Sequence, residues 1–206
     1  MSLQKFIDVC CEFASANDMI FNFKKSVCMY VRSKKFKDLN QPTFYLNGNI
    51  LRYVDHEKYL GVMISNDGKN DKDINRQMRS IYGRGNMIVR NFKHCTDTVK
   101  IQLFKTFCCN FYCCHLWSKF NKSAYYKAKI AFKKIYRSLM GLDRRASITE
   151  HMILRNIDSF DAIIRKDVYG FRERIFKSDN SVIYSIFNSL CFLDSSLHTR
   201  WMCVLF

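Results

Sequence analysis

The side chains best suited to chemistry cluster in Cys108-Cys109, Cys113-Cys114 and His115, with His94 and Cys95 just upstream. On a continuous helix Cys109 and Cys113 share a face, with Cys108 nearby, and His94 or Cys95 would complete a metal-ligand set. Structural zinc sites usually pair their ligands across a loop or knuckle. These cysteines sit instead among Phe, Tyr, Leu and Trp, where small thiols pack a core, so the expected metal set is none. A nucleophilic pair from Cys114 and His115 fails on direction, because neighbouring helical residues do not face each other. Arg144-Arg145-Ala146-Ser147 has the spacing of a basophilic kinase substrate, but Ser147 with Glu150 three residues on reads as a helix-capping box. No glycine-rich phosphate loop is present, since Gly83-x-Gly85 lies inside a helical pattern. No Asp-Asp dipeptide occurs anywhere in the chain.

The cations say more. The 206 residues carry 34 Lys and Arg against 18 Asp and Glu, a net charge of +16, with 48% apolar and 15% aromatic residues. That apolar content excludes disorder, and the charge points to a polyanion, either nucleic acid or an acidic membrane surface. Residues 1–68 hold 9 basic and 7 acidic side chains, 69–146 hold 18 and 4, and 147–206 hold 7 and 7. Nearly all the excess therefore lies in the middle third. In 71–92, at about 100° per residue, Ile74, Met78, Ile81, Gly85, Ile88 and Phe92 form one face. Lys72, Arg76, Arg79 and Arg90 fall opposite, with Asn75 and Asn86 beside them. Only Asp71 and Asp73 supply acids, in a helix-start position that suits the helix dipole. Residues 122–140 repeat the theme with Lys122, Lys127, Lys129, Lys133, Lys134 and Arg137 and no acid, interleaved with Tyr125, Tyr126 and Tyr136, whose rings suit base stacking. Nucleic acid is the expected partner. A membrane is not, because apolar faces opposite the cations suit core packing, and no small-molecule substrate is indicated.

The elements that must position these residues follow from periodicity. Leu3 to Ala16 has helical spacing. Short β-type runs follow at Ile20-Phe23, Val27-Val31, Thr43-Leu46, Ile50-Val54 and Tyr59-Ile64, and Asn47-Gly48 is a two-residue hairpin signal. After Asn66-Asp67-Gly68 the patterns are helical, roughly 71–92, 97–117, 122–140, 148–156, 160–177, 181–190 and 197–205, with Gly141 as a helix stop. The expected class is α+β, mainly α: a small antiparallel β part with a hairpin (1–68), a basic helical part (69–146) and a second helical part (147–206). Ten cysteines without a signal peptide read as reduced, mostly buried thiols of an intracellular protein, cytoplasmic or nuclear.

Several short stretches carry a resemblance. Asn22-Phe23-Lys24-Lys25-Ser26, Lys58-Tyr59-Leu60-Gly61-Val62, Asn86-Met87-Ile88, Leu103-Phe104-Lys105-Thr106 to Leu116-Trp117, Tyr136-Arg137 to Gly141 and Arg172-Glu173-Arg174 to Asn180 occur in order. Together they resemble the carboxy-terminal half of reverse transcriptases of non-LTR (LINE-type) retrotransposons, over nearly the whole chain. The resemblance implies a palm end at 1–68, a thumb at 69–146 that holds an RNA–DNA or duplex template–primer, and a connection region beyond. It gives Lys25, with Asn22, a place near the incoming nucleotide's phosphates, and Tyr59, Leu60 and Gly61 the primer-grip turn, where glycine lets backbone approach the primer strand. The parent enzyme needs Mg2+ on an Asp-Asp turn. This chain has none, its first helix matches the one just after that turn, and it is expected to hold no cofactor and not to polymerise alone. The alternative is a stand-alone basic helical protein that binds nucleic acid or another partner.

Overall fold

The computed structural model describes residues 2–31 and 41–205. The architecture is α+β and mainly helical, and the chain divides into two compact units, one of residues 1–59 and 64–68, the other of 60–63 and 69–206.

In the first unit, α1 (Leu3–Ala16) starts where the Ser2 hydroxyl accepts the Lys5 N–H. Its strands are short: β1 (Val27–Cys28), β2 (Tyr45–Leu46), β3 (Asn49–Ile50), β4 (Arg52–Tyr53), β5 (His56–Tyr59) and β6 (Val62–Ser65). Asn47 and Gly48 both have positive φ, 48° and 75°, and turn β2 into β3 with Tyr45 opposite Ile50. The expected strand at 59–64 is instead a hairpin, because Leu60 (φ 46°) and Gly61 (φ 85°) form a second tight turn between β5 and β6. Ile20-Phe23 forms no strand. β1 pairs with β4 in parallel, against the antiparallel expectation for this part, and the long connection from 28 to 52 leaves room for the crossover that parallel pairing needs. Gln4 fastens α1 to β2 by donating to the Tyr45 carbonyl and accepting its N–H, both at 2.9 Å. The core here is thin. Ala14 is the only buried residue of α1, while Leu3, Phe6, Val9 and Phe13 are each more than half exposed.

The second unit is a helical bundle: α2 (Asp71–Asn91), α3 (Asp97–Cys108), a 3-10 turn (Cys114–Leu116), α4 (Lys122–Met140), α5 (Ile148–Leu154), α6 (Phe160–Phe176), α7 (Ser181–Phe187), α8 (Leu190–Leu193) and α9 (Ser196–Leu205). Its core joins Ile74, Ile81 and Ile88 of α2 to Phe104, Phe132, Tyr136, Phe160 and Trp201, with the Phe104 ring 5.1 Å from Phe132 and 5.0 Å from Tyr136. Gly141 ends α4 in the left-handed region (φ 62°), and the Ser147 hydroxyl caps α5 by accepting the Glu150 N–H. The helix expected over 97–117 stops at Cys108. Cys113 is left-handed (φ 56°) and turns the chain out of the helix, with Phe111, Cys114 and Trp117 all buried around the turn.

Candidate nucleic-acid interface

α2 is held by its acids rather than merely charged by them. Asp73 is fully buried, and its carboxylate accepts from the Met63 N–H (3.0 Å), Arg76 Nε (2.8 Å) and Trp117 Nε1 (2.8 Å). Asp71 accepts from the backbone and side-chain nitrogens of Asn121. Both acids expected to serve only the helix dipole thus tie α2 to its neighbours. Ile74, Ile81, Gly85 and Ile88 are buried, and Gly85 meets Ile135 of α4. The cation stripe consequently points away from α4. On it Lys72, Arg79 and Arg90 are exposed, whereas Arg76 leans back on Asp73. Apart from the two acids so engaged, α2 contains no carboxylate.

On α4 the cations separate into two rows. Lys129 is paired with Asp161 of α6, Lys133 donates to the Thr149 hydroxyl (3.3 Å), and Arg137 donates to the carbonyls of Arg144 and Ala146 (both 2.9 Å). That row closes the bundle onto α5 and α6. Lys127 and Lys134 are exposed, with no bonded partner among the described residues. The tyrosines divide too. Tyr136 is buried with its hydroxyl 2.7 Å from His151 Nδ1, and burial pushes that hydroxyl up to about 12. Tyr125 donates to Asp161, so Tyr126 alone of the three stays largely exposed.

At the second hairpin, Tyr59 and Leu60 are exposed. Gly61 does give close approach, but to a side chain: a Cβ there would sit 2.7 Å from Tyr112 Cε1, and the Tyr112 hydroxyl donates to the Leu60 carbonyl at 3.1 Å. Tyr112 thus occupies the space that the missing Cβ of Gly61 leaves. Asn22 and Lys25 are both exposed and form a turn, in which Asn22 Oδ1 accepts the Lys25 N–H at 3.2 Å.

The cysteine-rich segment has a different use from either considered in the sequence. All ten cysteines are free, but only Cys108 and Cys114 are buried, fewer than expected. Among the described residues no group of three or more His, Cys, Asp or Glu side chains is arranged so that it could hold a metal ion. Cys114 and His115 both turn to Asp167 of α6. The Cys114 thiol (3.1 Å), the His115 N–H (3.1 Å) and His115 Nδ1 (2.7 Å) all reach its Oδ2. Burial first, and the Asp167 charge second, push the Cys114 thiol far up, which suits its role as a donor to Asp167. The His115 ring stacks on Phe171 at 3.8 Å, and its carbonyl accepts Trp201 Nε1 at 2.8 Å. The acid was visible in the sequence as Asp167 spaced with Phe160, Ile164 and Phe171 on one face of α6.

Burial works to raise the Asp167 and Asp161 carboxyls, but it is outweighed by hydrogen bonds from His115 and Cys114 on the first and from Lys129 and Tyr125 on the second. Both end below the ordinary value of 3.8. A lowered carboxyl contributes stability above its unfolded value, and that contribution is lost as pH falls through the folded one. The melting temperature is therefore expected to be flat near neutrality and to drop below about pH 4, with Asp167→Asn reducing the steepness of that drop. An unchanged pH slope in melts of the variant would refute the assignment.

No helix among the described residues is long and apolar enough to cross a membrane. Compared with known protein families, curated proteins and solved structures, the chain matches none.

Proposed function

We propose that this chain grips duplex nucleic acid through phosphates, as the thumb-bearing half of a LINE-type reverse transcriptase, and does not polymerise by itself. The observation that carries the reading is the outer face of α2. Arg79 and Arg90 stand on it exposed, while the helix's only acids, Asp71 and Asp73, are engaged with Asn121 and with Met63, Arg76 and Trp117. At a rise of about 1.5 Å per residue these two arginines lie ~17 Å apart along the axis, several phosphates of a duplex strand. Polymerisation needs carboxylates for two metals, and the chain has no Asp-Asp turn to supply them.

A second reading, a basic helical binding module without polymerase ancestry, draws on Tyr112 occupying the open side of Gly61. Fluorescence anisotropy on labelled RNA–DNA and DNA duplexes tests both. Arg79→Glu with Arg90→Glu is expected to weaken duplex binding whatever its sequence and to flatten the salt dependence by about two phosphate contacts. Unchanged affinity and slope would remove the α2 assignment. Arg76 is a poor choice for that test, because reversing it would disturb Asp73. Preference for a recessed template–primer end over a blunt duplex of equal length favours the first reading, and indifference the second.

A further inference from the structure

We propose a second binding site, for a single unpaired nucleotide, in the open cavity between the start of α4 and α9. The cavity is about 520 Å3 and is lined by Phe120, Lys122, Ser123, Tyr125, Tyr126, Lys129 and Arg200. Its floor is aromatic: the Phe120 and Tyr125 rings stack at 5.2 Å and 15°, and the Arg200 guanidinium lies 5.2 Å from the first centroid and 5.8 Å from the second. Asp161, bonded to two of the lining residues, has both oxygens taken, one by Tyr125 and one by Lys129. Lys122 and Arg200 have no carboxylate partner among the described residues. Arg200 also borders an adjoining cavity of about 560 Å3, lined as well by Lys119, Ser118, Thr199 and one acid, Asp194.

The chemistry asked of an occupant is a flat ring joined to an anion. Lys122 and Tyr126 are four residues apart on one helix face, so they are neighbours, and the Tyr126 ring is 63% exposed. A base stacked on Tyr126 puts its phosphate between Lys122 and Arg200, and the adjoining cavity gives the next phosphate of a strand Lys119. Base stacking on aromatic rings beside cations is the general means of holding single strands without sequence preference. An acidic peptide would use the cations and leave the rings idle. The site uses none of the α2 stripe, so it stands or falls separately from the duplex reading.

The test is anisotropy with a labelled oligothymidylate of eight nucleotides, compared with a blunt duplex. Lys122→Glu with Tyr126→Ala, both exposed and outside the core, is expected to weaken single-strand binding about tenfold or more while leaving the duplex little changed. Arg79→Glu with Arg90→Glu is expected to do the reverse. Tyr126→Ala alone separates stacking from charge. If it leaves oligothymidylate affinity unchanged, or if an acidic peptide of equal charge binds as well, the site is a plain cationic patch and the proposal is overturned. Competition by a free mononucleotide would identify the pocket as sufficient by itself. Binding of the strand without such competition would assign the site to an unpaired nucleotide within a chain. Either result supports the shared chemistry.

Discussion

Asp73→Ala is expected to cost the helical unit about 3–5 kcal/mol, the range found when one partner of a buried charged network is removed. Three donors converge on that carboxylate: the Met63 N–H, Arg76 Nε and Trp117 Nε1. An alanine methyl satisfies none of them, leaving an indole N–H and an amide unpaired in the interior and a guanidinium without its counter-charge. Asp73→Asn should lose less, since its amide oxygen still accepts, although it cannot balance Arg76. Urea unfolding followed by tryptophan fluorescence reads this directly, because the chain's two tryptophans, Trp117 and Trp201, are both buried in that unit. A loss under about 1 kcal/mol for Asp73→Ala would mean that water or a shifted neighbour replaces the carboxylate.

The second large effect is at Gly85. A Cβ built there would lie 2.4 Å from Ile135 Cγ2 and 3.1 Å from its Cγ1. Both atoms hang directly on a β-branched carbon, so no outer rotation moves them away and only a χ1 change or a helix shift relieves the contact. Gly85→Ala gains ~1 kcal/mol of helix propensity, but overpacking of about 1–3 kcal/mol is expected to exceed it, since α2 and α4 must part along their whole contact. Ile135→Ala removes the obstructing carbons. The double variant is therefore expected to be more stable than the summed losses of the two singles by at least ~0.5 kcal/mol. Simple additivity in the same urea experiment would show that the close approach costs nothing.

What could be read in advance was what depends on neighbours in sequence. The apolar face of α2, the Asn47-Gly48 turn, the Gly141 stop and the Ser147 cap all follow from spacings of one to four residues. Their structures agree with those spacings. The end of α3 was not legible, because the turn through Cys113 is favoured by polar partners far along the chain: Asp73 for Trp117 and Asp167 for Cys114 and His115. The candidate interface shows the same boundary. Charge counting finds every cation of α4, yet it does not separate Lys127 and Lys134, which face solvent, from Lys129, Lys133 and Arg137, whose partners lie on α6, α5 and the loop before α5. A helical wheel sorts residues by direction. It carries no record of what stands in that direction.

The turn at Cys114–Leu116 also sets an order of assembly. Residue separations of 44, 52 and 86 divide its neighbourhood from the partners that complete it, Trp117 with Asp73, His115 with Asp167 and Trp201 with the His115 carbonyl. Each closure carries a loop entropy that grows with separation, and none is offset until the bond forms. On a growing chain α2 can coil as soon as it is made. The joint between this turn, α6 and α9 stays open to water until residue 201 arrives, well after α2 has met α4 at Gly85 and Ile135.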